Sequence, residues 1–276
     1  EILRCLVGSE MCIRDRPEGM SFWEHLDELR ASLIKIIIAT IACSIIVFLF
    51  KDEVFSIILA PKNDHFITYR LLNMINRWAT GMDSTEFSVS LINTGLAEQF
   101  IIHMKTSLYT GLLLSSPYIL YILFHFISPA LYSHERKYSV RVAGGGYIMF
   151  MAGASLNYFL IFPLTFRFLG TYQVSTEVTN MISLQSYMDT LLMMSLWMGI
   201  LFELPVICWL MGKLGVLSAS FMRRFRKHSI IVILIIAAII TPTSDVFTLT
   251  LVSFPIWILY EASIWIVAKV HPDSQK

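Results

Sequence analysis

Long uncharged runs alternate with short polar segments along this chain, and the runs are too long to be strands or core helices of a soluble domain. Residues 33–50, LIKIIIATIACSIIVFLF, carry a single charge, and 106–126 carry none, with Pro117 in the middle. Residues 142–162 form an uncharged 21-residue stretch that includes Gly144, Gly145 and Gly146. Another, 191–211, is interrupted by Glu203, and 246–268 contains Pro255 and Glu261. About 20 apolar residues cross a hydrocarbon core about 30 Å thick, so each of these five runs is expected to span a membrane. Residues 229–240 are equally apolar but number only twelve. As a helix they cover about 18 Å. Followed by the breaker TPTSD at 241–245, they read as a short helical hairpin with the last run rather than as a buried pair within a larger bundle. The expected fold is all-α and polytopic, with six transmembrane helices at about 33–50, 106–126, 142–162, 191–211, 229–240 and 246–268.

Composition agrees. The chain is 56% hydrophobic and 15% charged, against about 25% charged in a soluble domain. The formal net charge is +1, which gives no reason to expect a nucleic-acid partner. The cysteines Cys5, Cys12, Cys43 and Cys208 form no CxxC pair, and two of them lie in apolar runs, so neither a metal site nor a disulfide framework is indicated. Residues 1–19 match nothing that follows and lack the apolar core and cleavage site of a signal peptide. Met20 is the expected natural start; a disordered tail is the other reading of the leader.

The polar segments orient the bundle. Arg136, Lys137 and Arg141 lie between the second and third runs, and Lys213, Arg223, Arg224, Arg226 and Lys227 between the fourth and fifth. The alternate loops carry Lys51, Lys62, Arg70 and Arg77 in a long segment, then Arg167. The positive-inside rule places both termini in the cytoplasm. The long loop, 51–99, holds the apolar stretches 54–59 and 87–92 with Pro61 between them, and reads as interfacial elements capping the outer face. No internal repeat of the kind common in secondary transporters stands out.

Three polar features carry candidate chemistry, each with a plainer alternative. Before the first span, SFWEHLDELRAS opens with a capping box, Ser21 to Glu24, so a helix is expected from Phe22. It carries His25, Glu28 and Arg30. Its plain explanation is a solvated face with Asp27 and Arg30 paired three residues apart. In FISPALYSHERKYSVR, 126–141, Phe126 closes a span, Pro129 interrupts it, and Glu135 stands beside Arg136; a local salt bridge explains that equally well. Glu203 lies within a span, where a carboxyl costs about 2.5–3.5 kcal/mol on insertion scales. Such residues by default face a bundle interior and mark function. Pro205 frees a carbonyl nearby; a hydrogen-bonded structural glutamate is the alternative. Glu261 lies nearer its helix end, and Asp245 reads as a cap on the last helix. HExxH, GxSxG, Walker and GxGxxG motifs are missing and the histidines lack ligand spacing, so no enzyme, metal or cofactor is expected.

Taken together, these motifs resemble the TatC family, the multispanning receptor subunit of the twin-arginine protein translocase, from about Ser21 to Lys269. His25-Leu26-Asp27-Glu28-Leu29-Arg30 is similar to the family's HLxELR motif. Ser116-Pro117, Leu120-Tyr121, Phe126 and SPALYSHERK are similar to its first cytoplasmic loop signature. Phe202-Glu203-Leu204-Pro205, Thr241-Pro242 with Asp245, and Tyr260-Glu261 match further family motifs. Tyr121 is followed by Ile122, Leu123 and Phe124 where members often carry Gln and Trp, and the turn at 241–248 is longer than usual.

The resemblance implies six short helices in a concave bundle, in the bacterial cytoplasmic membrane, binding signal peptides with consecutive arginines at the cytoplasmic face. Glu28 and Glu135 would receive the guanidinium groups, with His25, Arg30, Phe126 and Arg136 around them. Glu203, with Pro205 and Glu261, would be a polar contact within the bilayer. Pro61, Pro117, Pro129 and Asp245 would be structural. The implied partners are folded cargo bearing such peptides, single-span subunits of the TatA/TatB type, the lipid bilayer and further copies of the chain, with transport driven by the membrane potential or proton gradient. An ion-coupled transporter using Glu203 and a structural scaffold are the competing classes.

Overall fold

The structure, a computed structural model, describes residues 22–80, 90–127, 139–173, 175, 180–241 and 245–270. The first span is α1, Phe22–Leu49, one unbroken helix that carries the polar collar and the apolar run on a single rod. Neither Gly nor Pro interrupts it, so nothing breaks the hydrogen-bond ladder where polarity changes. The second span is α4, Glu98–Ile127. The third joins α5, Ser139–Leu156, to α6, Phe162–Thr171, through a π-helical turn at Asn157–Ile161. The fourth joins α7, Leu184–Phe202, to α8, Leu204–Lys213. The fifth is α10, Arg226–Ile240, reached through the short α9, Ala219–Arg224, and the sixth is α11, Val246–Val270. These helices begin earlier or run later than the uncharged cores that announce them. Among the described residues, five continuous helical stretches are long and apolar enough to cross a membrane. The fifth-span helix, with 15 residues, reaches only about 22 Å. The turn residues 242–244 lie outside the described residues.

Small residues set how closely the rods approach. At Gly111 of α4 an added Cβ would fall 2.7 Å from both the Cα and N of Ser44, so α1 and α4 touch backbone to backbone. Four residues further along each helix, in opposite directions, the Thr40 and Ser115 hydroxyls meet at 3.3 Å. The Phe48 and His103 rings stack at 4.1 Å towards the other end. The two helices are therefore antiparallel in a defined register. Gly153 of α5 crosses α7 in the same way, its Cβ position 2.4 Å from the Met198 carbonyl oxygen. At Gly215, φ 72° ends the fourth span in a left-handed turn, with the Val216 N–H donating to the Met211 carbonyl at 3.0 Å.

Opposite the collar, a cap is stitched to the spans by tyrosines and one carboxylate. It comprises α2, Lys51–Ile58, a 3₁₀ turn at Ala60–Lys62 that contains the buried Pro61, and α3, Ile67–Thr80. A two-residue parallel ladder pairs β1, Leu91–Ile92, with β2, Ile182–Ser183. Of the two apolar stretches expected in the cap, 54–59 forms most of α2, whereas 87–89 lie outside the described residues. Tyr187 donates to the Ile58 carbonyl at 3.0 Å and Tyr158 to that of Ile57. Glu98 accepts from the Thr94 and Gly95 N–H groups at 3.0 and 2.7 Å, and from the Gln185 N–H at 3.2 Å. One buried carboxylate thus closes the start of α4 and reaches the start of α7.

Proline explains how α3 docks. Pro163 has no N–H to offer the Phe159 carbonyl. The Thr68 hydroxyl donates to that carbonyl instead, and the next residue, Tyr69, donates to the Pro163 carbonyl at 3.1 Å. Burial pushes the Tyr69 phenol above its ordinary pKa, against the opposing pull of the Arg167 guanidinium, and keeps it a neutral donor. Pro117 is handled similarly: it denies an N–H to Leu113, and the Ser116 hydroxyl donates to that carbonyl at 2.7 Å.

The glycine crossings give a paired test. Gly111→Ala is expected to lower the thermal midpoint in mild detergent by an amount equivalent to about 1–3 kcal/mol of overpacking. Gly145→Ala, with open space around the new methyl group, should leave it unchanged. Equal midpoints for the two variants would refute the backbone contact.

Candidate functional site

The collar carboxylate Glu28 sits on α1, half-buried, and its Oε2 is buried with no hydrogen-bond partner among the described residues. A carboxylate normally recruits donors for such an atom. Asp27 and Arg30 are exposed, and the expected pair between them is not among the ion pairs of the described residues, which include Lys105–Asp189 and Arg226–Glu261. The α1–α4 register gives Glu28 its neighbours. Ser44 lies level with Gly111 and Thr40 with Ser115, and each step along α1 is matched by a reverse step along α4. Carried to the end of the helix at one residue per residue, the same register corresponds to Glu28 level with positions 126–127 of α4. Phe126 is half-buried there, and one turn earlier Tyr121 and His125 stack at 6.0 Å. Glu135, Arg136 and Pro129 lie outside the described residues, as does the side chain of His25.

Glu203 occupies the joint between α7 and α8. Its backbone is still helical, with φ −74° and ψ −12°, but Pro205 opens α8 and interrupts the ladder. The carboxyl is 6% exposed, and neither oxygen has a hydrogen-bond partner among the described residues. Gly146 makes room for it: a Cβ there would stand 3.0 Å from Glu203 Oε2 and 3.0 Å from Phe124 Cε2. Glu203 is therefore level with Phe124, two residues before Phe126, or about 3 Å along the axis. The fold brings Glu28 and Glu203, far apart in sequence, to the same end of the bundle. Both carry carboxyl oxygens that the described residues do not satisfy, and burying such a group without a partner is costly.

The other expected residues have internal partners. Glu261 accepts from Arg226 at 2.7 Å, which ties the start of α10 to α11. Asp245 accepts from the Thr248 N–H at 2.7 Å, the capping geometry its position announced. Pro61 and Pro117 shape the cap and α4 as described.

Three polar groups are not apparent as site residues in the sequence. Asn157 is fully buried in the π turn and donates to Ser195 Oγ at 2.9 Å, while its Oδ1 has no partner among the described residues. A search for charges passes over an amide. Lys105 and Asp189 pair at 3.0 Å between α4 and α7; each lies just outside the uncharged core of its helix. Glu98 is the third, signalled by Gly95 three residues before it, in the capping-box spacing. No group of metal-binding side chains occurs among the described residues. An apolar groove of about 490 Å³, lined by Ile41, Phe48 and Leu108, lies on the cap half of α1 and α4, away from both collar-end carboxyls.

Comparison with known proteins agrees with this architecture. The family model described as Sec-independent protein translocase protein (TatC) matches residues 24–255. The TatC protein of Blattabacterium sp. subsp. Periplaneta americana is 34% identical over 259 residues, which cover 92% of this chain and 97% of that protein. That of Aquifex aeolicus is 35% identical over 248 residues, 90% and 94% of the two chains. A crystal structure of a Twin Arginine Translocase Receptor, TatC, superposes with a TM-score of 0.72 at 34% identity, over 89% of this chain and 99% of that one. The chain belongs to the TatC family: it is a membrane-embedded component of the Sec-independent protein translocase, and not an enzyme.

Proposed function

We propose that the collar end is the cytoplasmic face of a bacterial inner-membrane receptor, N-in and C-in, that binds Arg-Arg signal peptides of folded proteins. The observation that carries this reading is the buried Oε2 of Glu28, which has no hydrogen-bond partner among the described residues. A guanidinium donates two parallel hydrogen bonds to a carboxylate, a geometry that an ammonium group does not reproduce. Glu135 is the second carboxylate of the proposed site, with His25, Arg30, Phe126 and Arg136 around it. Exposed Arg223, Arg224, Arg226 and Lys227 fit a cytoplasmic surface at this end. The solved structural neighbour is described as a receptor, which supports the same role here.

Glu203, one layer deeper, is the proposed polar contact for a helix entering from the side, either the signal peptide or a single-span subunit of the TatA/TatB type. Assembly with such subunits and with further copies of this chain, energised by the membrane potential or proton gradient, completes the proposed export complex. The Glu203 carboxyl, without a partner among the described residues, is also what an ion-coupled transporter would need, and it is the ground for that second reading.

Binding separates these roles. With the full chain in lipid nanodiscs, an Arg-Arg signal peptide is expected to bind at least about tenfold more tightly than its Lys-Lys version, as charge-assisted bonds of about 1.5–3 kcal/mol imply. Glu28→Ala should abolish that preference, measured by fluorescence anisotropy; if it persists, the site is misassigned. Glu203→Gln should leave the peptide preference intact and reduce co-purification of single-span subunits. Should the purified chain alone drive solute flux in liposomes, and Glu203→Gln stop it, the transporter reading would replace the receptor.

A further inference from the structure

We infer that α3 is an interfacial helix that seats one apolar face in the lipid leaflet on the cap side and holds the cap against the bilayer. At about 100° per residue, its side chains divide into three faces. Thr68 and Tyr69 are buried, and Leu72, Asn73 and Asn76 are half-buried, towards the third span. Ile67, Leu71, Met74, Ile75 and Trp78 form a continuous exposed apolar strip on the far side, with Trp78 91% exposed. Arg70 and Arg77 follow one another along the edge between them and are exposed.

The depth of the helix says what covers the strip. Thr68 and Tyr69 bond the carbonyls of Phe159 and Pro163. These lie 17 and 21 residues beyond Val142, where the third span begins. At 1.5 Å per residue that is roughly 26 and 32 Å along the axis, the level at which a core about 30 Å thick gives way to headgroups. A helix held at that level, with its apolar strip turned away from the protein, meets acyl chains on the strip and phosphates along its basic edge. An aromatic ring at the end of the strip suits the same boundary. The occupant is therefore phospholipid rather than another protein. The placement holds whichever compartment the cap faces, so it stands or falls independently of the receptor assignment.

The test uses the full chain in nanodiscs of phosphatidylethanolamine and phosphatidylglycerol. The photo-crosslinking residue p-benzoylphenylalanine replaces Leu71, Met74, Trp78, Arg70 or Arg77 in turn, and Ile41, exposed in the middle of α1, serves as the lipid-facing reference. Mass spectrometry after illumination is expected to find phospholipid adducts at 71, 74 and 78 in yields comparable to position 41 and several-fold above 70 and 77. Adducts equally frequent at all five positions would overturn the inference, as would none at 71, 74 and 78. Crosslinked dimers from those three positions would also overturn it, since a second copy would then cover the strip.

Discussion

A hydrocarbon interior offers no water to a polar group, and that constraint governs almost every contact in this bundle. Many serine and threonine hydroxyls fold back onto the preceding turn: Thr40 onto Ile36, Ser44 onto Thr40, Ser107 onto His103, Ser195 onto Leu191, Ser263 onto Leu259. Where proline removes a donor, a hydroxyl supplies the missing bond, as at Leu113 and Phe159. Several buried atoms are nonetheless left without partners among the described residues, Asn157 Oδ1 and the hydroxyls of Thr106, Thr165 and Thr248 among them; those at the collar end are Glu28 Oε2 and both Glu203 oxygens.

Close backbone approach determines where those exceptions lie. Gly111 against Ser44 and Gly153 against Met198 lock two antiparallel helix pairs at definite registers. Without a hydrophobic driving force between helices in lipid, such close packing is a main source of association. It also sets levels. Gly146 both admits the Glu203 side chain and brings it opposite Phe124, so a residue two-thirds of the way along one span is brought near the collar. The two carboxyls, each with an oxygen unpartnered among the described residues, thereby become features of one end of the molecule, one half-buried and one buried.

The opposite end is built from different chemistry. Four side chains, Thr68, Tyr69, Tyr158 and Tyr187, donate to backbone carbonyls across the junction between cap and spans. Glu98 joins two helix starts. Hydroxyls and a carboxylate that reach backbone groups hold a cap whose own helices are too short to be stable alone. Hydrogen bonds to backbone groups mark the cap face, and carboxyl oxygens without partners among the described residues mark the collar face.

The sequence by itself determined the class, the number of helices and the membrane setting, because hydrocarbon thickness turns run length directly into spans. It also singled out Glu28 and Glu203 as candidates and Asp245 as a cap, since a carboxylate near or within an apolar run is visible without coordinates; the structure shows the Asp245 cap. Tertiary structure alone decided which carboxylates find partners. Glu261 and Glu203 both interrupt apolar runs, yet Arg226 reaches the first and neither oxygen of the second has a hydrogen-bond partner among the described residues. It alone decided that a π turn accommodates Asn157 and that α3 presents three different faces. Each of these depends on which residues stand level on neighbouring helices. A one-residue change of register alters all such pairings while leaving every apolar run intact, and run patterns therefore carry no record of them.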